Sequence, residues 1–435
     1  MKKSPNSQFS LGRLSLRRVG ALLSLTLFLG ACNGGGSSSS SGGGSEDGLK
    51  VGTLLPATGD LASVGQPMIA AIPMMIDTIN ACGGVNGNPV TLVSEDDQTD
   101  PSAGNAAMTK LAEVDKVAGV VGSFASSVSQ AAVDVAKRNK VMLISPGSTS
   151  PEFTKRAKNG DFNGYWSRTA PPDTYQARAL AKLASEKGFK KVSTIAINND
   201  YGIGFEQEFI ESFKALGGTV VNESKPTRYD PKATTFDTEA KAAFSGDPEA
   251  VVAILYPDTG SILLKTAYQQ GLTDGVQLML TDGVKSDEFA GQVGKKPDGK
   301  FIIEGAIGTV PGADGKALDA FAKVWKEAKN EAPPAYAPQA WDATALIALA
   351  AEASKGNTGE GIAENLRAVA GEGGKEVTDV CEGLKLLKEG QEINYQGASG
   401  NVDIDENGDV LGVYDVWEVQ TDGTLNVIQQ VLPDA

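Results

Sequence analysis

Two hydrophobic patterns alternate along the chain. Short continuous apolar runs bounded by turn residues predict strands buried on both faces of a parallel sheet. They fall at 50–55, 90–95, 117–122 and 141–145, and again at 191–197, 219–223, 250–255 and 277–281. Between them apolar residues recur at helical spacing, as with Val128, Ala131, Ala132 and Val135, and stop at glycines such as Gly83-Gly84 and Gly217-Gly218. Predicted strand starts lie 40, 27 and 24 residues apart in the first set and 28, 31 and 27 in the second. This weak repeat predicts an α/β protein of two doubly wound lobes, each built on a parallel sheet. Pro73 interrupts the helical pattern of 68–80 and is expected to kink that helix or shift its start.

The segment 119–151, GVVGSFASSVSQAAVDVAKRNKVMLISPGSTSP, reads as strand, Ser-rich loop, helix, strand, Ser/Thr-rich loop. Phe124-Ala125-Ser126 follows its first strand and Gly147-Ser148-Thr149 its second. In open α/β sheets ligands bind outside the carboxyl ends of the strands, where helix N-termini offer free N–H groups and a positive dipole end. Two adjacent loops of this kind make a cradle for a carboxylate. The other reading is that Ser126 or Ser127 is only an N-cap, and Ser150-Pro151 only a cap followed by proline at the first helical position. Further polar loops follow predicted strands at 56–60, 198–202, 256–259 and 281–283. Each alone is an ordinary turn; facing lobes would bring them all to one cleft.

Charge and residue usage narrow the function. Of 39 basic residues five lie within 1–31, leaving 34 against 54 acidic side chains in the remainder. A body that acidic argues against nucleic acid and anionic membrane surfaces as partners. The chain has no histidine, which excludes Ser-His-Asp and Cys-His catalysis and every His-ligated metal site. It also lacks a GxSxG elbow, a Walker A loop and a CxxC pair. The expectation is a binding protein, not an enzyme, with no cofactor and no metal.

Residues 1–31 combine a basic n-region with the apolar run ALLSLTLFLG, the pattern of a secretory signal. Leu29-Gly30-Ala31-Cys32 resembles the bacterial lipobox, whose cysteine is acylated and becomes the mature N-terminus. Arg17-Arg18 leaves twin-arginine export open as an alternative route. Residues 32–48 then read as the lipidated cysteine and a Gly/Ser tether with a reach of roughly 20 Å. Together they place the body in the periplasm or cell envelope, lipid-anchored to a bacterial membrane. An exported body with two remaining cysteines, Cys82 and Cys381, favours a disulfide, although two separate buried thiols stay open. Asp403 to Asp409 imitates the first half of an EF-hand, but Tyr414 stands where the bidentate Glu is required. Asn407-Gly408 between alternating apolar runs reads better as a hairpin turn.

The pieces INACGGVNGNPV, GSFASSVSQAA, LISPGSTSPEFT, NDYGIGF and YQGASGNVDIDENGDV, in that order, resemble the branched-chain amino acid type of periplasmic substrate-binding protein, the receptor of an ABC importer. The resemblance runs from about Leu49 to the end. It implies a type I periplasmic binding fold, with lobe one at 49–167 and 309–400, lobe two at 168–308 and 408–435, and a three-strand hinge. It implies a monomer that delivers a neutral, aliphatic L-amino acid to membrane permease subunits. Ser126 and Thr149, with backbone groups around Ala125, Gly147 and Ser148, match positions that hold the ligand's α-carboxylate. Asp282 matches an acidic position that pairs with the α-ammonium; Tyr201 and Tyr256 match aromatic positions that close over the ligand. Phe124 and Val64 match side-chain pocket positions, where Val64 departs from the aromatic residue of close relatives. In this layout Cys82 and Cys381 both fall in lobe one. The alternatives are a receptor for an amide, urea or aromatic acid, or a ligand-sensing module for a membrane partner.

Overall fold

The computed structural model describes residues 48–371 and 373–432. The signal, the lipobox cysteine Cys32 and most of the tether lie outside the described residues.

The first sheet holds β1 (Lys50–Leu55), β2 (Thr91–Asp96), β3 (Gly119–Gly122), β4 (Met142–Ser145) and β5 (Trp166–Arg168), in the order β2-β1-β3-β4-β5. All its pairs are parallel. Parallel neighbours need crossovers, which α1 (Ala62–Ala81), α2 (Pro101–Lys110), α3 (Ser126–Arg138) and α4 (Pro151–Lys158) supply. β3 and β4 are buried at every residue, which is why they read as unbroken apolar runs.

The chain then passes to a second sheet through α5 (Asp173–Glu186). There β6 (Lys191–Ile197), β7 (Thr219–Val220), β8 (Thr227–Tyr229), β9 (Ala250–Ile254), β10 (Gln277–Leu280) and β11 (Ile307–Pro311) alternate with α6 (Asp200–Ala215), α7 (Asp237–Ala243), α8 (Pro257–Gln269) and α9 (Phe289–Val293). Four helices follow: α10 (Leu318–Lys329), α11 (Ala337–Ser354), α12 (Gly359–Val369) and α13 (Val380–Lys388). α11 packs on α1, β3 and β4, so this segment returns to the first sheet. It is Ala-rich and buried from Ala337 to Glu352, the composition of a helix enclosed by neighbours. β12 (Lys375–Val377) and β13 (Ile393–Tyr395) pair beside α13. A third crossing brings β14 (Tyr414–Val419) back to the second sheet, antiparallel to β11, and β15 (Leu425–Val431) pairs antiparallel with β14 at the edge. No described helix is long and apolar enough to cross a membrane.

Several local readings need correction. The strand read at 219–223 stops at Val220, because the Asn222 side chain takes over the pairing. Its amide accepts from Thr194 N (3.0 Å) and donates to Thr194 O (2.7 Å). α1 starts at Ala62 and runs through both Pro67 and Pro73, so Pro73 does not shift its start. The Asn407-Gly408 turn forms, but no strands flank it. The loop docks on β5, where Arg168 N donates to Gly408 O at 2.9 Å. Asp409, within the EF-hand-like run, is spent on a buried ion pair with Arg168 (2.8 Å). Cys82 at the end of α1 and Cys381 in α13 are joined by a disulfide with Cα atoms 5.7 Å apart.

Candidate functional site

The loops that leave β3, β4, β6, β9 and β10 meet between the two sheets. Phe124, Ser126, Gly147, Tyr201, Tyr256, Asp282 and Gly283 line a single cavity of about 10 Å³. That is room for about one water, so the cleft is closed and any amino acid enters only when the halves part.

Asp282 stands at its centre, 2% exposed. Its Oδ1 accepts from Tyr201 OH (2.8 Å) and Gln176 Nε2 (2.9 Å), and its Oδ2 from Tyr336 OH (2.8 Å). Burial pushes its pKa up, while the bonds from Tyr336, Tyr201 and Gln176 pull it back down. Burial also raises both phenols, so they stay neutral donors. Gln176 is fixed in turn by Thr309, whose carbonyl accepts from the same Nε2 at 3.0 Å. Tyr256 stacks on Tyr201 with ring centres 5.7 Å apart.

A second carboxylate, Asp173 at the start of α5, is wholly buried. Neither of its oxygens has a hydrogen-bond partner of ordinary geometry, nor has Thr149 Oγ1 or Gln176 Oε1. Burial, and next the charge of Asp282, push the Asp173 pKa well above the usual carboxylate range; the nearby Thr149 hydroxyl opposes this only in part. Buried polar groups are nearly always paired. Here the four atoms belong to residues close to Asp282, although none of these residues lines the cavity itself.

The opposite wall is the Ser/Thr cradle. Ser126 is the first residue of α3, and its Oγ accepts from Ser150 N at 3.2 Å. Gly147 has no room for a side chain: a Cβ there would lie 2.2 Å from the Phe124 ring. The ring of Phe124 meets Tyr336 edge-on, with centres 4.7 Å apart. Arg168 braces the second loop from behind, donating from Nη1 to Ser148 O (3.0 Å) and Ser150 O (3.1 Å). Ser148 does not face the cavity, since its Oγ lies within bonding distance of Ser123 O, Phe124 O and Ser129 Oγ. Ala125 is the N-cap residue of α3 and contributes no side-chain cap. Val64 also stands apart, lining a separate hollow of about 290 Å³ with Lys285 and Trp325.

Sequence reasoning missed Gln176, Asp173 and Tyr336. The first two sit one helical turn apart on α5, just after Pro171-Pro172. Tyr336 precedes α11 with φ +67°, a conformation bulky residues rarely adopt outside functional sites. A larger hollow of about 700 Å³, lined by α5, α6 and β15, contains none of these side chains.

The family model described as receptor family ligand binding region matches residues 68–422. An amino acid binding protein of Pseudomonas aeruginosa is 30% identical over 62% of this chain and 68% of its own length. The chemotactic signal transduction system substrate-binding protein BasB of Halobacterium salinarum is 28% identical over 81% of this chain and 83% of its own. Among solved structures, a leucine binding protein LivK from Thermotoga maritima superposes with a TM-score of 0.74 at 26% identity, covering 89% of this chain and 99% of that one. A solute binding protein of R. palustris in complex with benzoate gives a TM-score of 0.70 at 20% identity, covering 89% and 98%, a likeness of fold.

Proposed function

The chain belongs to the receptor family ligand binding region family, and on that premise we propose that it is the extracytoplasmic receptor of an ABC importer, binding neutral, aliphatic L-amino acids. The family and its solved neighbours are solute-binding receptors and not enzymes. We take 49–167 with 309–400 as lobe one and 168–308 with 408–435 as lobe two, joined by three crossings that act as the hinge. Cys32 carries the lipid anchor, and loss of fatty-acid labelling in Cys32→Ser tests that part.

The observation that carries the ligand assignment is Asp282, a buried carboxylate lining the closed cleft, with a second buried carboxyl, Asp173, near enough to feel its charge. The guanidinium that partly offsets Asp173, Arg168, is already paired with Asp409 at 2.8 Å. A ligand bearing an ammonium supplies the missing positive charge, and the cradle of Ser126, Thr149 and the α3 N-terminus takes its carboxylate. Asp282 holds the ammonium, and Tyr201 and Tyr256 close over it. An aromatic acid would instead add negative charge beside Asp282, and urea carries no positive charge to offset it.

A second reading is that the loaded receptor reports to a sensory membrane partner, which the likeness to a chemotactic substrate-binding protein supports. The test of the ligand is a thermal-shift panel of the common amino acids, urea, acetamide and benzoate, since only a ligand of the folded state raises the melting point. The expected result is a shift with neutral aliphatic amino acids; a shift with benzoate or urea alone would overturn the assignment.

A further inference from the structure

The first βα loop of lobe one reaches across the cleft and caps a helix of lobe two. Asp60 Oδ1 accepts from the backbone N–H groups of Asp258 (2.7 Å) and Thr259 (3.1 Å). Its Oδ2 accepts from Thr259 Oγ1 (2.6 Å). These are donors of the first turn of α8, and α8 has no cap of its own. Its N-cap residue is Tyr256, which makes no side-chain cap bond, and its first helical residue is Pro257. A carboxylate that accepts two first-turn N–H groups and meets the positive end of the dipole does what an N-cap Asp does. Here it does so from the other lobe.

The bonds run on into the ligand site. Thr259 Oγ1 lies 3.3 Å from Tyr229 OH, and Tyr229 OH accepts from Tyr256 N at 3.2 Å. Tyr256 stacks on Tyr201, which donates to Asp282. Lobe one also meets the far end of this chain, where Tyr336 OH donates to Asp282 at 2.8 Å; the remaining polar contacts across the cleft mouth are weaker or stand away from it. Ser63 and Ser286 hydroxyls are 3.4 Å apart. The Lys232–Asp100 pair is exposed, and such pairs contribute little. Ser150 Oγ donates to Asp200 O (3.0 Å) on the far side of the cleft.

We propose that Asp60 is a positioning residue for ligand retention: by capping α8 from the opposite lobe it clasps the cleft shut and seats Tyr256 over the bound amino acid. Asp60 lines no part of the central cavity, so it acts through α8. Because the clasp forms only as the lobes meet, it slows ligand release and leaves encounter untouched. The kinetic part of the test rests on the amino acid reading above; the scattering part does not.

The experiment measures L-leucine association and dissociation by stopped-flow on the purified protein and on Asp60→Ala, with small-angle scattering of both without ligand. Loss of a cap interaction predicts dissociation faster by roughly 3- to 30-fold, association within about two-fold, and an unchanged melting temperature without ligand. Thr259→Val, which removes one of the three bonds without touching the loop, is expected to move dissociation the same way by less. Unchanged dissociation in both variants would overturn the clasp. If the parent protein fails to bind L-leucine, the scattering decides alone. A larger radius of gyration for Asp60→Ala supports the clasp and an identical one overturns it.

Discussion

Asp282 accepts three neutral donors and is the one ionisable carboxyl among the described residues that line the central cavity. Removing one member of a buried charge pair typically costs about 2–5 kcal/mol, because the other charge is left stranded. Asp282→Ala is therefore expected to weaken the best neutral amino acid by roughly 30- to several-thousand-fold in calorimetry. Ser126→Ala is expected to cost less, since N–H groups of the α3 N-terminus remain near the carboxylate. Equal losses in the two variants would contradict the division of roles. Asp282 and the hydroxyls of the cradle were legible in the sequence because each ends a strand, where ligands of α/β sheets sit. Tyr336 was not, because it reaches Asp282 from 54 residues away and begins a helix after the second crossing. Asp173 and Gln176 were hidden for a related reason: a helix that starts at a hinge shows no loop signature. Val64, a position matched by likeness, lines a neighbouring hollow in the closed cleft.

At the scale of elements, the lobes meet where α6 of the second sheet crosses the start of α4 of the first. Gly204 makes this approach feasible. A Cβ there would lie 2.9 Å from Pro151 Cδ and 3.1 Å from Ser150 Oγ. Gly204→Val is expected to hinder closure, weakening ligand binding at least ten-fold, while the midpoint of urea unfolding without ligand holds or rises as a helical glycine is lost. Unaltered affinity would show that this seam opens without affecting retention. The sequence displayed most elements because parallel strands buried on both faces are unbroken apolar runs. It misled at 219–223 because a side-chain amide can replace a ladder, and periodicity does not register that substitution. The pairing of Cys82 with Cys381 depends on α13 lying against the end of α1, a contact between segments 299 residues apart.

Across the whole molecule, the path that links the two sheets also stores a titratable group. Asp342, on buried α11, accepts from Ser399 Oγ and from the N–H groups of Ala398 and Ser399, tying α11 to the approach to the third crossing. Burial pushes its pKa up to about 6 although those bonds oppose it. In the unfolded chain the same group releases its proton near about 3.9. Between those values the folded state holds more protons, so this group makes stability fall as pH rises. The stability advantage of the parent over Asp342→Asn is expected to be larger at pH 4 than at pH 7, by roughly 1–3 kcal/mol. Urea unfolding at both values checks it; a constant difference would show that Asp342 ionises as easily folded as unfolded.

In the proposed reading the ligand's ammonium supplies the positive charge that the buried Asp282 lacks in the closed cleft. The most direct measurement compares, by calorimetry, the neutral amino acid that gives the largest thermal shift with the same carbon skeleton lacking its amine, such as L-leucine against 4-methylpentanoate. Stranding a buried carboxylate predicts that the deaminated acid binds at least about 30-fold more weakly. Equal affinity for the two, or tighter binding of the acid, would contradict the account and point to a ligand recognised without an ammonium.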